Sequence, residues 1–281
     1  MNPPVIPEAL AIIAGKGAYP CELARSARAQ GVKRLYALAF KGETDRALAR
    51  LVDEIEWIHV GQLGALLANL QRSGAKVAVM AGQITPTNLF RVRMDRPMIA
   101  LLSRLRERNA DTIFGAVGEE LGNVGLNLQP ASLFMESAMP APGLIAQRTP
   151  TPEEMTDIQL GLRVARATSG LDIGQTVVIK RGTVLAVEAF EGTDAAIRRA
   201  GELGGKGAVV IKVAKRGHDM RFDIPVVGLH TLVTLRKAGV TALAVEAGRT
   251  ILLEREQLVV EANRQGLCFL AVASETTTEK D

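Results

Sequence analysis

"ALAIIAGKGAYPCELARSARAQG", residues 9–31, decides the fold. Six apolar residues form a run short enough for a buried strand and stop at Gly15-Lys16-Gly17. Beyond Pro20 the apolar positions Leu23, Ala24 and Ala27 return at helical spacing. Strand, glycine turn and helix follow in that order. The alternation continues with "RLYALAF" (34–40), "TDRALARLV" (44–52), "IEWIHV" (55–60), "GQLGALLANLQRSG" (61–74) and "KVAVMAG" (76–82). Short apolar strands separated by helices predict an α/β domain whose parallel sheet is covered on both faces. Ligands of such sheets sit beyond the carboxyl ends of the strands, which singles out 15–20 and 82–88, with Gly15, Gly17, Gly82 and Gln83 among them. Helical patterns follow at 97–108 and 110–122.

A chain of 281 residues has room for two domains of ordinary size. It is 47% hydrophobic and 23% charged, and no apolar run approaches the roughly 18 residues of a membrane span. The first residues lack the basic region and cleavage site of a signal peptide, so a cytoplasmic protein is expected. Cys21 and Cys268 stand far apart without metal-ligand spacing, which argues against a disulfide framework or structural zinc. A net charge of +4 and a pI near 9.2 suit anionic partners. Aromatics at 4% speak against stacking on single-stranded nucleic acid, and no nucleic-acid partner is expected.

Prolines cluster and hydrophobic period vanishes at 139–152, which reads as a linker between an N-terminal domain (1–138) and a C-terminal α/β domain (153–281). Thr151 or Thr156 would cap a helix running to Ser169. "QTVVIKRGTVLAVEAF" reads as a hairpin around Arg181-Gly182, followed by a helix over 194–203 and a buried strand in "GAVVIKVAK".

Three stretches carry candidate chemistry. Gly15 and Gly17 suit either backbone contact with a phosphate or a plain tight turn, since GxGxxP is neither a dinucleotide fingerprint nor a P-loop. In "EAFEGTDAAIRRA" (188–200), Gly192, Thr193 and Asp194 open a helix, either as a simple cap or as a phosphate or metal site. In "IKVAKRGHDMRFDIP" (211–225), extended chain would put Asp219, Arg221 and Asp223 on one face and Met220, Phe222 and Ile224 on the other. The two carboxylates would then stand about 13 Å apart, too far to grip one ion. Lys212, Lys215 and Arg216 supply cations for a polyphosphate; an exposed ion-pair ladder is the plainer alternative. His59 reads as structural. His218 and His230 flank the acidic segment, but neither has a Ser, Cys or second His at useful spacing.

Taken together, "AGKGAYP", "GQLGALLANLQRSG", "VMAGQI", "LDIGQTVVIKRGTVLAVEAFEGTD", "KVAKRGHDMRFDIPVVGLHT" and "AVEAGRTILLEREQLVVEANRQGL" resemble the LpxI-type UDP-2,3-diacylglucosamine pyrophosphatases of lipid A synthesis, in order and over almost the full length. The resemblance implies a Rossmann-like N-terminal domain, a distinct C-terminal α/β domain and a ligand cleft between them. It implies metal-assisted hydrolysis of a lipid-linked UDP-sugar to UMP and 2,3-diacylglucosamine 1-phosphate (lipid X), with water attacking the β-phosphorus. A homodimer, Mg²⁺ or another divalent cation, and peripheral visits to the inner-membrane surface are implied too. The family's essential carboxylate falls on Asp223 in "FDIP", expected to hold the metal or to orient the attacking water, with Asp219 its more replaceable catalytic partner. Gly15, Gly17, Gly82, Thr193 and Asp194 fall on the family's motifs and look like substrate contacts, and Gln83, Gly192, Lys212 and Lys215 are expected to join them. The chain departs from the pattern with "NAD" at 109–111, leaving Asp111 as a weaker site, and with "GLNL" at 125–128. A nicotinamide oxidoreductase lacks its GxGxxG here. A nonenzymatic nucleotide-sugar or lipid-precursor binding protein would keep the same glycines and cations; retention of Asp223 favours hydrolysis.

Overall fold

The computed structural model describes residues 6–84, 93–107, 109–215 and 219–273, without the side chains of Ala110 and Asp111. The chain divides into two compact units. Unit 1 holds residues 1–135 together with 219–223; unit 2 holds 136–218 and 224–281.

In unit 1 the strands β1 (Ala9–Ala14), β2 (Arg34–Phe40), β3 (Glu54–Ile58), β4 (Val77–Ala81) and β5 (Asn127–Leu128) form one sheet in the order β3-β2-β1-β4-β5. Every pairing in it is parallel. Leu10 to Ala14 are all buried, as an unbroken apolar run requires of a central strand covered on both sides. One face shares a cluster with α2 (Leu63–Ser73), α3 (Arg96–Arg104) and α4 (Ala110–Asn123) through Leu66, Leu70, Leu101, Val117 and Leu121. Helix α1 (Tyr19–Ala29) buries Leu23, Ala24 and Ala27 and adds none of them to that cluster. Strand order reverses between β1 and β4. That switch point is where the loops after two neighbouring strands leave in opposite directions and a ligand finds room.

Unit 2 is built on a mixed sheet in the order β6-β13-β11-β9-β7-β8. Its strands are β6 (Gly143–Leu144), β7 (Thr176–Lys180), β8 (Thr183–Val187), β9 (Ala208–Lys212), β11 (Val240–Glu246) and β13 (Cys268–Val272). A parallel pair, β10 (Val226–Val227) and β12 (Ile251–Leu252), lies outside it. Helix α5 (Pro152–Gly170) opens with the capping box of Thr151 and Glu154 and packs on one face, where a methyl at Gly161 would stand 2.2 Å from Ile211 Cδ1. Helices α6 (Thr193–Gly204), α7 (Leu229–Lys237) and α8 (Arg255–Arg264) bury Ile197, Leu232, Leu235 and Leu258 in a second cluster with Val178, Val210 and Phe269. The β7–β8 hairpin turns at Arg181 (φ 48°) and Gly182 (φ 73°), the left-handed pair that a two-residue hairpin demands. Buried Asp157 accepts both turn N–H groups at 2.8 and 2.7 Å.

Two expectations need correction. Residues 139–152 belong to unit 2, because Gly143-Leu144 pairs antiparallel with β13 and Arg148 binds Glu154 at 2.7 Å. Pro140 and Pro142 stand just before this edge strand, outside its ladder, so no ladder hydrogen bond is lost to them. The second correction concerns 219–223, which turns instead of extending: Asp219 O accepts from Phe222 N (3.2 Å) and Asp223 N (3.3 Å).

Candidate active site

The switch point of unit 1 is a crossing of two glycine loops. Lys16 N donates to Gln83 O at 2.7 Å, Gln83 N donates back to Lys16 O at 3.1 Å, and Gly15 N reaches Ala81 O at 2.7 Å. A Cβ on Gly15 would stand 2.7 Å from Gln83 O, and one on Gly82, at φ +91°, 2.7 Å from Lys16 O. Each glycine is therefore required by the other loop's backbone. Gly17, at φ +98°, has no described residue within 4 Å of its missing Cβ, so among the described residues its backbone angle alone asks for glycine. Helix α1 begins two residues later with Pro20 in its first turn and no side chain capping it.

The turn carrying the two aspartates is tied to the same helix. Tyr19, the first residue of α1, donates its hydroxyl to Ala131 O, and Ala131 N donates to Met220 O at 2.7 Å. Phe222 joins the unit 1 core, its ring 5.8 Å from that of Phe114. Asp219 is the reason the chain turns. Its carboxylate accepts from Arg221 N at 3.0 Å and from Arg221 Nε at 2.8 Å, and Arg221 Nη2 binds Oδ2 as well. Aspartate that satisfies a backbone N–H two residues on competes with strand formation, which is why the period-two pattern misleads here. Both Asp219 oxygens are engaged, so this residue locks Arg221, whose guanidinium lies against Gly118 of α4. Asp223 closes the turn half-buried, immediately before the chain passes back to unit 2.

The Arg221 guanidinium holds the Asp219 carboxyl below the usual carboxylate range, against a smaller opposing effect of burial. A depressed folded-state pKa contributes stability above the unfolded value of about 4, and that contribution fades as pH falls through the lower folded value. Both side chains are roughly a third exposed, so the pair is worth about 1 kcal/mol or less. Asp219→Asn should melt a few degrees below the parent at pH 7, with the gap closing in acid; a gap unchanged by acid would exclude a charge-based lock.

Unit 2 assembles a second polar group at the head of α6. The helix N-cap is Gly192 (φ 82°), with no capping side chain. Neither Thr193 nor Asp194 takes that role. Thr193 donates its hydroxyl to Glu188 Oε1 at 2.8 Å and stands 3.4 Å from both Thr176 Oγ1 and Lys212 Nζ. Lys212, cross-strand partner of Thr176, is 8% exposed, and its ammonium also donates to Val226 O at 3.3 Å. Asp194 pairs with His230 Nε2 at 3.0 Å. Lys215 pairs with Asp172 at 2.6 Å, and Ala214 N is held by Glu246 Oε2 at 3.0 Å. Arg216 and His218 lie outside the described residues. Asp111 falls in the first turn of α4, its side chain outside the described set, and the backbone of exposed His59 makes a turn with Gln62, donating to its Oε1 at 2.8 Å and accepting from its N–H at 3.3 Å.

Sequence reasoning missed Glu188. It is 8% exposed, and its Oε2 is buried with no hydrogen-bond partner among the described residues, a costly arrangement at the head of a helix. The available signal was a carboxylate at the end of an apolar strand, five residues before Thr193. Both cysteines are free and buried. Burial pushes the Cys268 thiol up to about 11 and raises Cys21 too, so neither is a thiolate nucleophile at neutral pH.

Residues 9–138 match the LpxI N-terminal domain and residues 141–270 the LpxI C-terminal domain. The chain belongs to the LpxI family. Across 94% of its length it is 31% identical to the UDP-2,3-diacylglucosamine pyrophosphatase LpxI of Caulobacter vibrioides, covering 97% of that protein. Two solved structures that resemble this LpxI family member do so only remotely. The biotin carboxylase domain of Hydrogenobacter thermophilus 2-oxoglutarate carboxylase is 11% identical with a TM-score of 0.27, over 69% of this chain and 40% of that one. N5-carboxyaminoimidazole synthetase from Staphylococcus aureus is 14% identical with a TM-score of 0.25, over 62% and 38%. The LpxI chain thus spans about two fifths of their lengths, and likeness this low carries no argument.

Proposed function

We propose that the protein hydrolyses UDP-2,3-diacylglucosamine at its pyrophosphate bond, giving UMP and 2,3-diacylglucosamine 1-phosphate, a step of lipid A biosynthesis. The observation that carries this reading is the match to LpxI along both halves of the chain. The geometry is compatible with it. The crossing of Gly15-Lys16 with Gln83 brings the loop of Gly17 to the head of α1, and a helix N-terminus favours a phosphate. Asp223 lies on a turn tied to that helix through Ala131.

The donor set suits magnesium better than a closed metal cage. Among the described residues no group of three or more His, Cys, Asp or Glu could hold an ion, and Asp219 is committed to Arg221. Mg²⁺ characteristically takes one or two carboxylates, with substrate phosphates and water completing its shell, and Asp223 would be that carboxylate. Such an ion, when bound, offsets charge on the phosphate oxygens. Asp223 orients the attacking water and draws off its proton as the new P–O bond forms; the bridging oxygen leaves with the other phosphate. Lys212 and Thr193 serve the anionic part of the substrate.

No described helix is long and apolar enough to cross a membrane. A two-chain lipid must nevertheless be drawn from a bilayer, so the reading includes work at the inner-membrane surface, as a homodimer. Turnover of UDP-2,3-diacylglucosamine with Mg²⁺ in ¹⁸O-labelled water tests the proposal. UMP and the sugar 1-phosphate should appear in equal amounts, with the label on the sugar phosphate. Intact substrate after prolonged incubation would overturn hydrolysis, and label on UMP would move the attack to the α-phosphorus.

A further inference from the structure

Beside the glycine crossing, unit 1 holds a cavity of about 680 Å³ lined by Lys41, Glu43, Thr44, Arg46, Ala49 and Trp57. Its size falls within the range of small-molecule sites. It lies beyond the carboxyl ends of β2 and β3, since Lys41 follows the last residue of β2 and Trp57 is the penultimate residue of β3, paired with Ala39. This is the ligand-binding side of a parallel sheet. One wall is stitched to the glycine loop: Thr44 Oγ1 accepts from Phe40 N at 2.8 Å and donates to Ala14 O, the carbonyl just before Gly15. Lys41 N, bound to Ile58 O at 2.9 Å, fixes the other side.

The lining is unusual for this chain. Trp57 is its only tryptophan, in a sequence with 4% aromatics, and it stays half-buried where Ile58 beside it enters the core. A large flat side chain left partly open in a cavity that Lys41 and Arg46 also line offers a stacking face with charge in the same space. Every nucleobase has a face to stack on it, and Arg and Lys complement the phosphates that follow.

We propose that this cavity is a nucleoside pocket, in which the base stacks on Trp57 and the phosphates extend past Thr44 to the Gly15–Gly17 loop. The choice of uridine as the nucleoside rests on the hydrolase reading above; the pocket itself does not.

The single tryptophan makes the test direct. UMP is titrated into the full-length protein while Trp57 emission is followed, and binding is measured in parallel by calorimetry for the parent, Trp57→Leu and Trp57→Phe. Saturable quenching is expected, with affinity about tenfold weaker in Trp57→Leu, equivalent to about 1.4 kcal/mol, and mostly recovered in Trp57→Phe. If UMP binds without changing the emission and Trp57→Leu binds it equally well, the pocket is wrong and the hydrolase reading stands. If AMP quenches and UMP neither quenches nor binds, the pocket is right and the uridine substrate is wrong. If no nucleotide alters the emission, the proposal is overturned.

Discussion

Asp223→Asn should bind UMP as the parent does and hydrolyse UDP-2,3-diacylglucosamine about a thousandfold more slowly. Removing a group that orients and deprotonates the nucleophile costs on the order of 10² to 10⁴ in rate. Asparagine keeps the size of the side chain and the backbone bond from Asp223 N to Asp219 O at 3.3 Å, so the turn should persist. The near-equal volume opens no cavity at this half-buried position, and the melting temperature should shift by less than about 2 °C. The measurements are single-turnover hydrolysis, calorimetric UMP affinity and a thermal melt on the same preparation. Near-parental turnover with an unchanged melt would remove Asp223 from the reaction. A large drop in melting temperature accompanying the loss would assign it to structure.

The second large effect belongs to Gly82→Ala. The added methyl would stand 2.7 Å from Lys16 O and 2.9 Å from Gly15 C on a backbone at φ +91°. Neither contact is with a flexible side-chain end, so relief requires the loops to part and to lose the reciprocal Lys16–Gln83 bonds. Strain of this kind plus lost buried bonds amounts to roughly 3 to 5 kcal/mol, or about 10 °C in melting temperature. Gly17→Ala is the matched control. It carries a positive φ with no described residue within 4 Å, so only about 1 to 2 kcal/mol should be lost. Thermal melts of the two variants decide the matter: if Gly82→Ala melts no lower than Gly17→Ala, the crossing is soft and its close approach dictates nothing.

Local chemistry made much of the fold legible. The apolar run of β1, the left-handed pair Arg181-Gly182 and the Thr151–Glu154 capping box each act within a few residues, and each forms as its residue types require. The Asp219–Asp223 turn was not legible, because alternation of polar and apolar residues suits a strand as well as a turn stabilised by an aspartate. What decided between them was the guanidinium of Arg221 on that carboxylate and the long-range Ala131–Met220 bond. Lys212 illustrates the same limit. The run of cations marks it for phosphate but says nothing of its burial, or of the Thr193 hydroxyl and Val226 carbonyl, 19 and 14 residues away, to which its ammonium donates. The proline-rich 139–152 stretch was misread because an edge strand of two residues has no period to detect.

The passage of residues 219–223 into unit 1 sets a rule for anyone cutting or recombining this gene. A fragment ending at residue 138 would follow the family boundary yet leave behind five residues that its core expects. Phe114 would lose its ring partner and Ala131 its Met220 acceptor, baring an apolar gap beside α4. The halves are consequently not interchangeable modules: a chimaera joining the first half of one homologue to the second half of another would seat a foreign plug in its own N-terminal core. Sequence drift at positions 114 and 222 should therefore be judged together, as a lock and its key encoded more than a hundred codons apart.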